Sequence, residues 1–123
     1  MASQTTITLQ GKGLEALQAG SLEISVLATI DLDPQSARRR ATTWLASEVG
    51  NMLIAGAPSL VIGQHTVWRV PVVLTSSEAG VLGEVGTVDV DANTGKIYSS
   101  SQLRARILNN VFDLTGAAPA AAG

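Results

Sequence analysis

From Ser21 to Leu32 apolar and polar residues alternate: Leu22, Ile24, Val26, Ala28, Ile30 and Leu32 share one parity, with Glu23, Ser25, Thr29 and Asp31 on the other. Period two with one apolar face predicts a half-buried strand. At Asp33 the period changes. Asp33 can cap free amide donors, and Pro34 suits a first helical position, where its missing N–H costs nothing. Ala37, Ala41, Trp44, Leu45, Val49, Met52 and Leu53 then recur at helical spacing, with Gly50 inside the span. This stripe predicts a helix whose Arg38, Arg39, Thr42 and Thr43 face solvent. Gly56 and Pro58 are expected to stop it.

The remainder returns to short periods. Thr5–Leu9 is a candidate short strand, with turns expected around Leu14–Gln18. Ser59–Gly63 reads as a strand around Leu60, Val61 and Ile62, and Val67–Thr75 as a longer one. In the latter Trp68, Val70, Val72 and Leu74 oppose Arg69, Pro71 and Val73. Because Pro71 cannot donate to a ladder, it is expected at an edge or a bulge. Ser76–Gly83 reads as a loop, Glu84–Val90 as a strand, Asp91–Gly95 as a turn and Lys96–Tyr98 as a short returning strand. A second helix follows, capped by the serines at 99–101, with Leu103, Ile107, Val111 and Leu114 in its stripe and Leu108 and Phe112 widening it. Gly116 ends it. The pattern predicts a single α+β domain over residues 1–116, an antiparallel sheet of four or five strands with two helices packed on one face, and a disordered Ala/Pro/Gly tail over 117–123.

Composition narrows the chemistry. The chain has 123 residues, 46% of them hydrophobic but only 3% aromatic, so the core must be aliphatic. A formal charge of −2 provides no field to gather nucleic acid or an anionic membrane. No cysteine is present, which excludes a disulfide framework, a thiol nucleophile and thiolate metal sites. The first ten residues lack the basic and apolar regions of a signal peptide, and no apolar run approaches the ~20 residues of a membrane span. The expectation is a soluble, cytoplasmic protein without a cofactor.

Four groups remain as candidates. His65 is the one histidine, but acid–base catalysis needs a positioned partner and no neighbour in sequence supplies one. Asp89-Val-Asp-Ala-Asn-Thr-Gly95 resembles the opening of a calcium loop through Asp89, Asp91 and Asn93. Thr94 and Ser100 stand where such a loop needs glycine and a bidentate glutamate, so a hairpin turn with Asn93 and Gly95 at positive φ is favoured. Arg38, Arg39 and Arg40 form the one basic run, yet consecutive helical positions point in different directions. With only two lysines and few aromatics in support, nucleic acid is not an expected partner. Trp68, Arg69 and Pro71, beside Arg38 and Arg39, form the candidate partner-binding surface, since edge strands accept partner strands and Trp and Arg are frequent anchors. Parity favours Trp68 as core, packed under the first helix beside Val70 and Val72.

Val67-Trp-Arg-Val-Pro-Val-Val and Val85-Gly-Thr-Val-Asp-Val-Asp-Ala-Asn-Thr-Gly-Lys-Ile97, preceded by a helix, resemble PepSY-like small α+β domains over residues 34–98. The sequence is also similar to bacterial stand-alone proteins with a Trp-Arg-Val-Pro strand, which have no established activity. The PepSY-like resemblance implies a helix packed on an antiparallel sheet and a non-catalytic binding or inhibitory module. The expected function is therefore a non-enzymatic interaction or regulatory module that binds a protein partner or itself through a sheet edge. The alternatives are an antitoxin-like regulator whose arginines touch nucleic acid or a toxin, and a small-molecule-binding or enzymatic domain in which His65 works with a spatially adjacent carboxylate.

Overall fold

A computed structural model describes residues 6–10, 25–50 and 52–115. The elements are β1 (Ile7–Leu9), α1 (Pro34–Glu48), β2 (Leu53–Ala55), β3 (Ser59–Ile62), β4 (Val67–Ser76), β5 (Gly80–Asp91), β6 (Ile97–Tyr98) and α2 (Ser101–Thr115). They form an α+β fold around one six-stranded sheet in the order β1-β3-β4-β5-β6, with β2 also paired to β4. Only β1 and β3 are parallel, Ile7 opposite Leu60; every other pairing is antiparallel. No helix among the described residues is long and apolar enough to cross a membrane.

α1 begins as its sequence dictates. Asp33 accepts the Ser36 N–H at 2.8 Å, with Pro34 in the first turn. It ends at Glu48, earlier than the apolar stripe suggests. The reason lies in the next residues: Leu53 to Ala55 pair with Leu74 to Val72, so the stripe continues in a strand. Leu53 and Ala55 are buried and Ile54 is exposed, the period-two pattern of a half-buried strand. Gly50 accordingly lies outside the helix. α2 is capped by Ser100, whose Oγ accepts the Leu103 N–H at 3.0 Å.

β4 is the axis of the sheet, with β2 and β3 on one side and β5 on the other. β2 and β3 act as one broken strand, interrupted at Gly56-Ala57-Pro58. The registers Ala55↔Val72 and Ser59↔Arg69 differ by one residue, so the break accommodates one extra residue. Pro71 sits opposite this break, and the Gly56 N–H donates to its carbonyl at 2.8 Å. In a strand the N–H and C=O of one residue point to the same side. The missing donor of Pro71 therefore falls where the broken strand offers no acceptor. Of the two places expected for Pro71, the edge is corrected, since the residue lies on the central strand, and the bulge is met, since the pairing register shifts beside it on both sides. Gly56 and Pro58, read from sequence as stopping a helix, break a strand instead. A Cβ at Gly56 would lie 2.9 Å from Pro71 Cγ, so the glycine lets the chain cross the proline ring.

Two clusters fill the core. In one, Leu45 and Val49 of α1 and Ile107 and Val111 of α2 meet Val72 and Leu74 of β4 and Val85 and Val88 of β5. In the other, Ala37 and Ala41 leave room for Trp68, Val70 and Val90. Small residues on α1 thus face the largest side chain of the sheet.

Two further expectations are corrected. No strand forms within residues 25–32, where Val26, Leu27 and Ile30 are exposed despite their alternation. Asp31 and Leu32 are anchored by donating to the Ala92 carbonyl and Thr29 by accepting from Asn93, but these contacts form no ladder; without a ladder, alternation alone fixes nothing. The 76–83 loop is instead a short turn, because β5 starts at Gly80 opposite Ser76. The turns expected around Leu14–Gln18, the 21–24 part of the alternating segment and the 117–123 tail lie outside the described residues.

Leu45→Ala, at a fully buried position, is expected to lower unfolding free energy by about 2–5 kcal/mol in a urea titration. Leu27→Ser, at a fully exposed one, is expected to change it by less than about 0.5 kcal/mol.

Candidate functional site

The residues singled out from sequence are distributed over separate parts of the molecule. Trp68 is 4% exposed, and its Nε1–H donates to the Leu32 carbonyl at 2.7 Å. It is an interior residue that fastens the chain entering α1, which removes it from any exposed surface. Arg38 Nε donates to the Ala55 carbonyl at 2.9 Å. The bonds Thr75 N–H to Met52 O and Gly56 N–H to Pro71 O place the backbone groups of even-numbered residues toward β4. The Ala55 carbonyl therefore points outward, and Arg38 closes the free edge of β2. Arg39 Nη2 donates to Ser36 Oγ at 3.1 Å. Arg40 turns toward Gly95, where a Cβ would lie 2.6 Å from its Cζ. Three consecutive arginines thus reach three different places, as helix geometry requires.

Arg69 and Pro71 lie on the sheet face opposite the Trp68 parity. Arg69 and Asp89 stand directly across β4 and β5, joined by Nε to Oδ1 at 2.9 Å and Nη2 to Oδ2 at 3.1 Å. The Asp89 hydrogen bond holds the Arg69 guanidinium above its ordinary pKa. This pair helps to line a cleft of about 230 Å³ with Gln10, Gln64, His65 and Tyr98. His65 lies 6.2 Å from the Tyr98 ring, centroid to centroid. Asp89 is the carboxylate that lines the same cleft as His65, but both its oxygens accept from Arg69. Tyr98 Oη donates to Asp91 Oδ2 at 2.7 Å. The cleft offers shape and hydrogen bonding, without an aligned nucleophile and base among the described residues.

The Asp91–Gly95 turn uses its own oxygens internally. Asp91 Oδ1 accepts the Asn93 and Thr94 N–H groups, each at 2.9 Å, and the Gly95 N–H donates to the Asp91 carbonyl. Those two amides and the Tyr98 hydroxyl lower the Asp91 pKa to about 2, the Thr94 amide most strongly. The same contact raises Tyr98. Gly95 has φ +77°, while Asn93 does not have positive φ, which corrects the expectation for that residue. Its side chain instead donates outward, to the Thr29 carbonyl at 2.6 Å and Asp31 Oδ2 at 3.0 Å.

A groove that sequence inspection missed runs along β5. β6 pairs β5 only at Asp89 and Val90, so from Gly80 to Val88 no described strand lies on its outer side. α2 flanks this edge: Asn110 Nδ2 donates to the Val85 carbonyl at 2.8 Å, and a Cβ at Gly86 would meet Ile107 Cγ1 at 3.0 Å. Between them lies a space of about 400 Å³ lined by Glu84, Thr87, Leu103, Arg106, Ile107 and Asn110, among others. Its one sequence signal was the pair Gly83 and Gly86, whose missing side chains let α2 approach. Pro71 fixes the polarity of this edge. Its carbonyl faces β2, so Thr87, directly opposite, turns its own N–H and C=O away from β4 and into the groove. The bonds Asp91 N–H to Lys96 O and Ala92 N–H to Thr66 O give the same alternation farther along.

The fold and these surfaces define a small α+β domain built on a mixed, mostly antiparallel sheet. No family model, curated protein or solved structure matches the chain.

The pH response of the turn follows from Asp91. Its folded pKa of about 2 lies below the unfolded value of about 3.9. Its stabilisation is therefore complete above the unfolded value and lost as pH falls through the folded one. Asp91→Asn is expected to melt below the wild type by a constant margin above pH ~5. That margin should narrow between pH ~4 and ~2 in thermal scans.

Proposed function

We propose that the protein is a non-enzymatic interaction module that takes an extended segment of a protein partner along the outer edge of β5. The observation carrying this reading is the orientation of Thr87, whose backbone donor and acceptor face a groove that holds no strand among the described residues. A partner strand would satisfy these groups by main-chain hydrogen bonds, with side-chain selection by the groove walls. Leu103 provides apolar contact and Arg106, Asn110 and Glu84 the polar rim. At the hairpin end Val81 is 68% exposed and Leu82 41%, and the exposed Leu114 of α2 lies against Gly83. The module function agrees with what the PepSY-like resemblance implies, while the edge differs from the one marked by Pro71.

A different protein fits this edge better than a second copy. Antiparallel self-pairing centred on residues 80–88 would set Glu84 against its own counterpart, and like charges directly opposite are destabilising.

The test is selection of extended peptides from a displayed library, with binding of purified peptides followed by amide NMR. Selected peptides are expected to shift amides of residues 83–88 and to lose at least about tenfold in affinity against Thr87→Pro, equivalent to ~1.4 kcal/mol. That substitution removes an outward N–H and leaves the β4 ladder intact. Arg106→Glu provides a second variant on the opposite wall. Failure to select any peptide, or binding indifferent to both variants, contradicts the reading. So would a dimer in sedimentation that Thr87→Pro dissolves, since it would make the occupant a second copy.

A further inference from the structure

We propose that a separate cleft, between α1 and the Asp91–Gly95 turn, binds a small organic anion carrying a planar ring. It lies away from the β5 groove and does not depend on the interaction reading. Its volume is about 590 Å³, and its walls include Ser36, Arg39, Arg40, Thr43, Trp44 and Gly95. That volume falls within the ~300–1,000 Å³ of small-molecule sites. Among the described residues no carboxylate lines it.

Its cations are uncompensated or partly so. Arg40 makes no hydrogen bond or ion pair among the described residues; its guanidinium rests over Gly95, where even a methyl group would displace it. Arg39 uses one nitrogen on Ser36 Oγ and keeps its other donors. Of the acids on the adjoining segments, Asp33 interacts electrostatically with Arg39, which leaves Arg40 as the cation of the cleft without a charged partner among the described residues. Asp33 accepts from Ser36 N and Oγ, and Asp91 accepts from Asn93, Thr94 and Tyr98. Guanidinium donors in a fork suit the oxygens of a phosphate or carboxylate. Thr43, one turn from Arg39 and Arg40, adds a hydroxyl to the same wall.

The ring requirement comes from Trp44. Its half-buried indole packs against the core cluster containing Leu45 and Val49, which fixes its position, and it also lines the cleft. Leu32 and Ile97 extend the apolar wall. A ligand with an anionic group at Arg40 can therefore place a flat ring on the Trp44 side. The shared chemistry is an aromatic phosphate or an aromatic carboxylate.

The experiment is a titration of the whole chain, labelled with ¹⁵N, using phenyl phosphate, benzoate and inorganic phosphate as probes. Phenyl phosphate and benzoate are expected to give saturable shifts of the Trp44 indole N–H and the Gly95 amide. Phenyl phosphate should bind at least about tenfold more tightly than inorganic phosphate. Arg40→Gln should weaken binding by about tenfold or more without changing the melting curve, because Arg40 holds no structural hydrogen bond. Arg106→Gln, in the other groove, should leave it unchanged. Absence of saturable shifts at Trp44 and Gly95 overturns the site. Equal binding of phenyl and inorganic phosphate overturns the ring, and affinity unaffected by Arg40→Gln overturns the anion contact.

Discussion

The ladder between β4 and β5 is the constraint on which the rest depends. It runs from Val67 opposite Asp91 to Ser76 opposite Gly80, and it presents Trp68, Val70, Val72 and Leu74 as one buried row. Both helices contribute side chains to clusters built on that row. A proline at its centre would ordinarily cost a hydrogen bond. Here the cost is avoided, because the strand facing that side of Pro71 is itself broken. The same residue sets the hydrogen-bonding parity of β5, since Thr87 opposite it must face outward. Pro71 thus stands at the division of β2 from β3, and its position opposite Thr87 tells which β5 groups face outward.

Much of this was legible in sequence where local chemistry and tertiary packing agree. Asp33-Pro34 starts α1, Ser100 caps α2, and the alternation of Val67–Thr75 marks β4 with its buried parity. Trp68 could be weighed as core from that parity alone. Legibility failed where the same pattern serves two structures. Leu53 continues the helical stripe of α1 and also begins a strand, and only pairing with Leu74 decides between them. The alternation at 25–32 failed in the opposite sense, because period two becomes a strand only when a neighbour completes the ladder.

The candidate sites were less readable than the fold. Arg69 and Pro71 were visible as residues, but their surroundings were not: Asp89 is twenty positions away and sequesters the Arg69 guanidinium. Arg38 looked like a free cation and serves as an edge closure on Ala55. The β5 groove left little mark on the sequence, since its defining feature is the direction of backbone groups. Glycines at 83 and 86, which admit α2, were the nearest signal.

Native-state hydrogen exchange along β5 tests the central claim most directly. The account predicts that the Thr87 amide, aimed into a groove without a described strand, exchanges at least about 100-fold faster than those of Val88 and Val90, which are aimed at β4. Protection of Thr87 equal to that of Val88 and Val90 would mean that its N–H already has a partner. The open edge, and the interaction read from it, would then be contradicted.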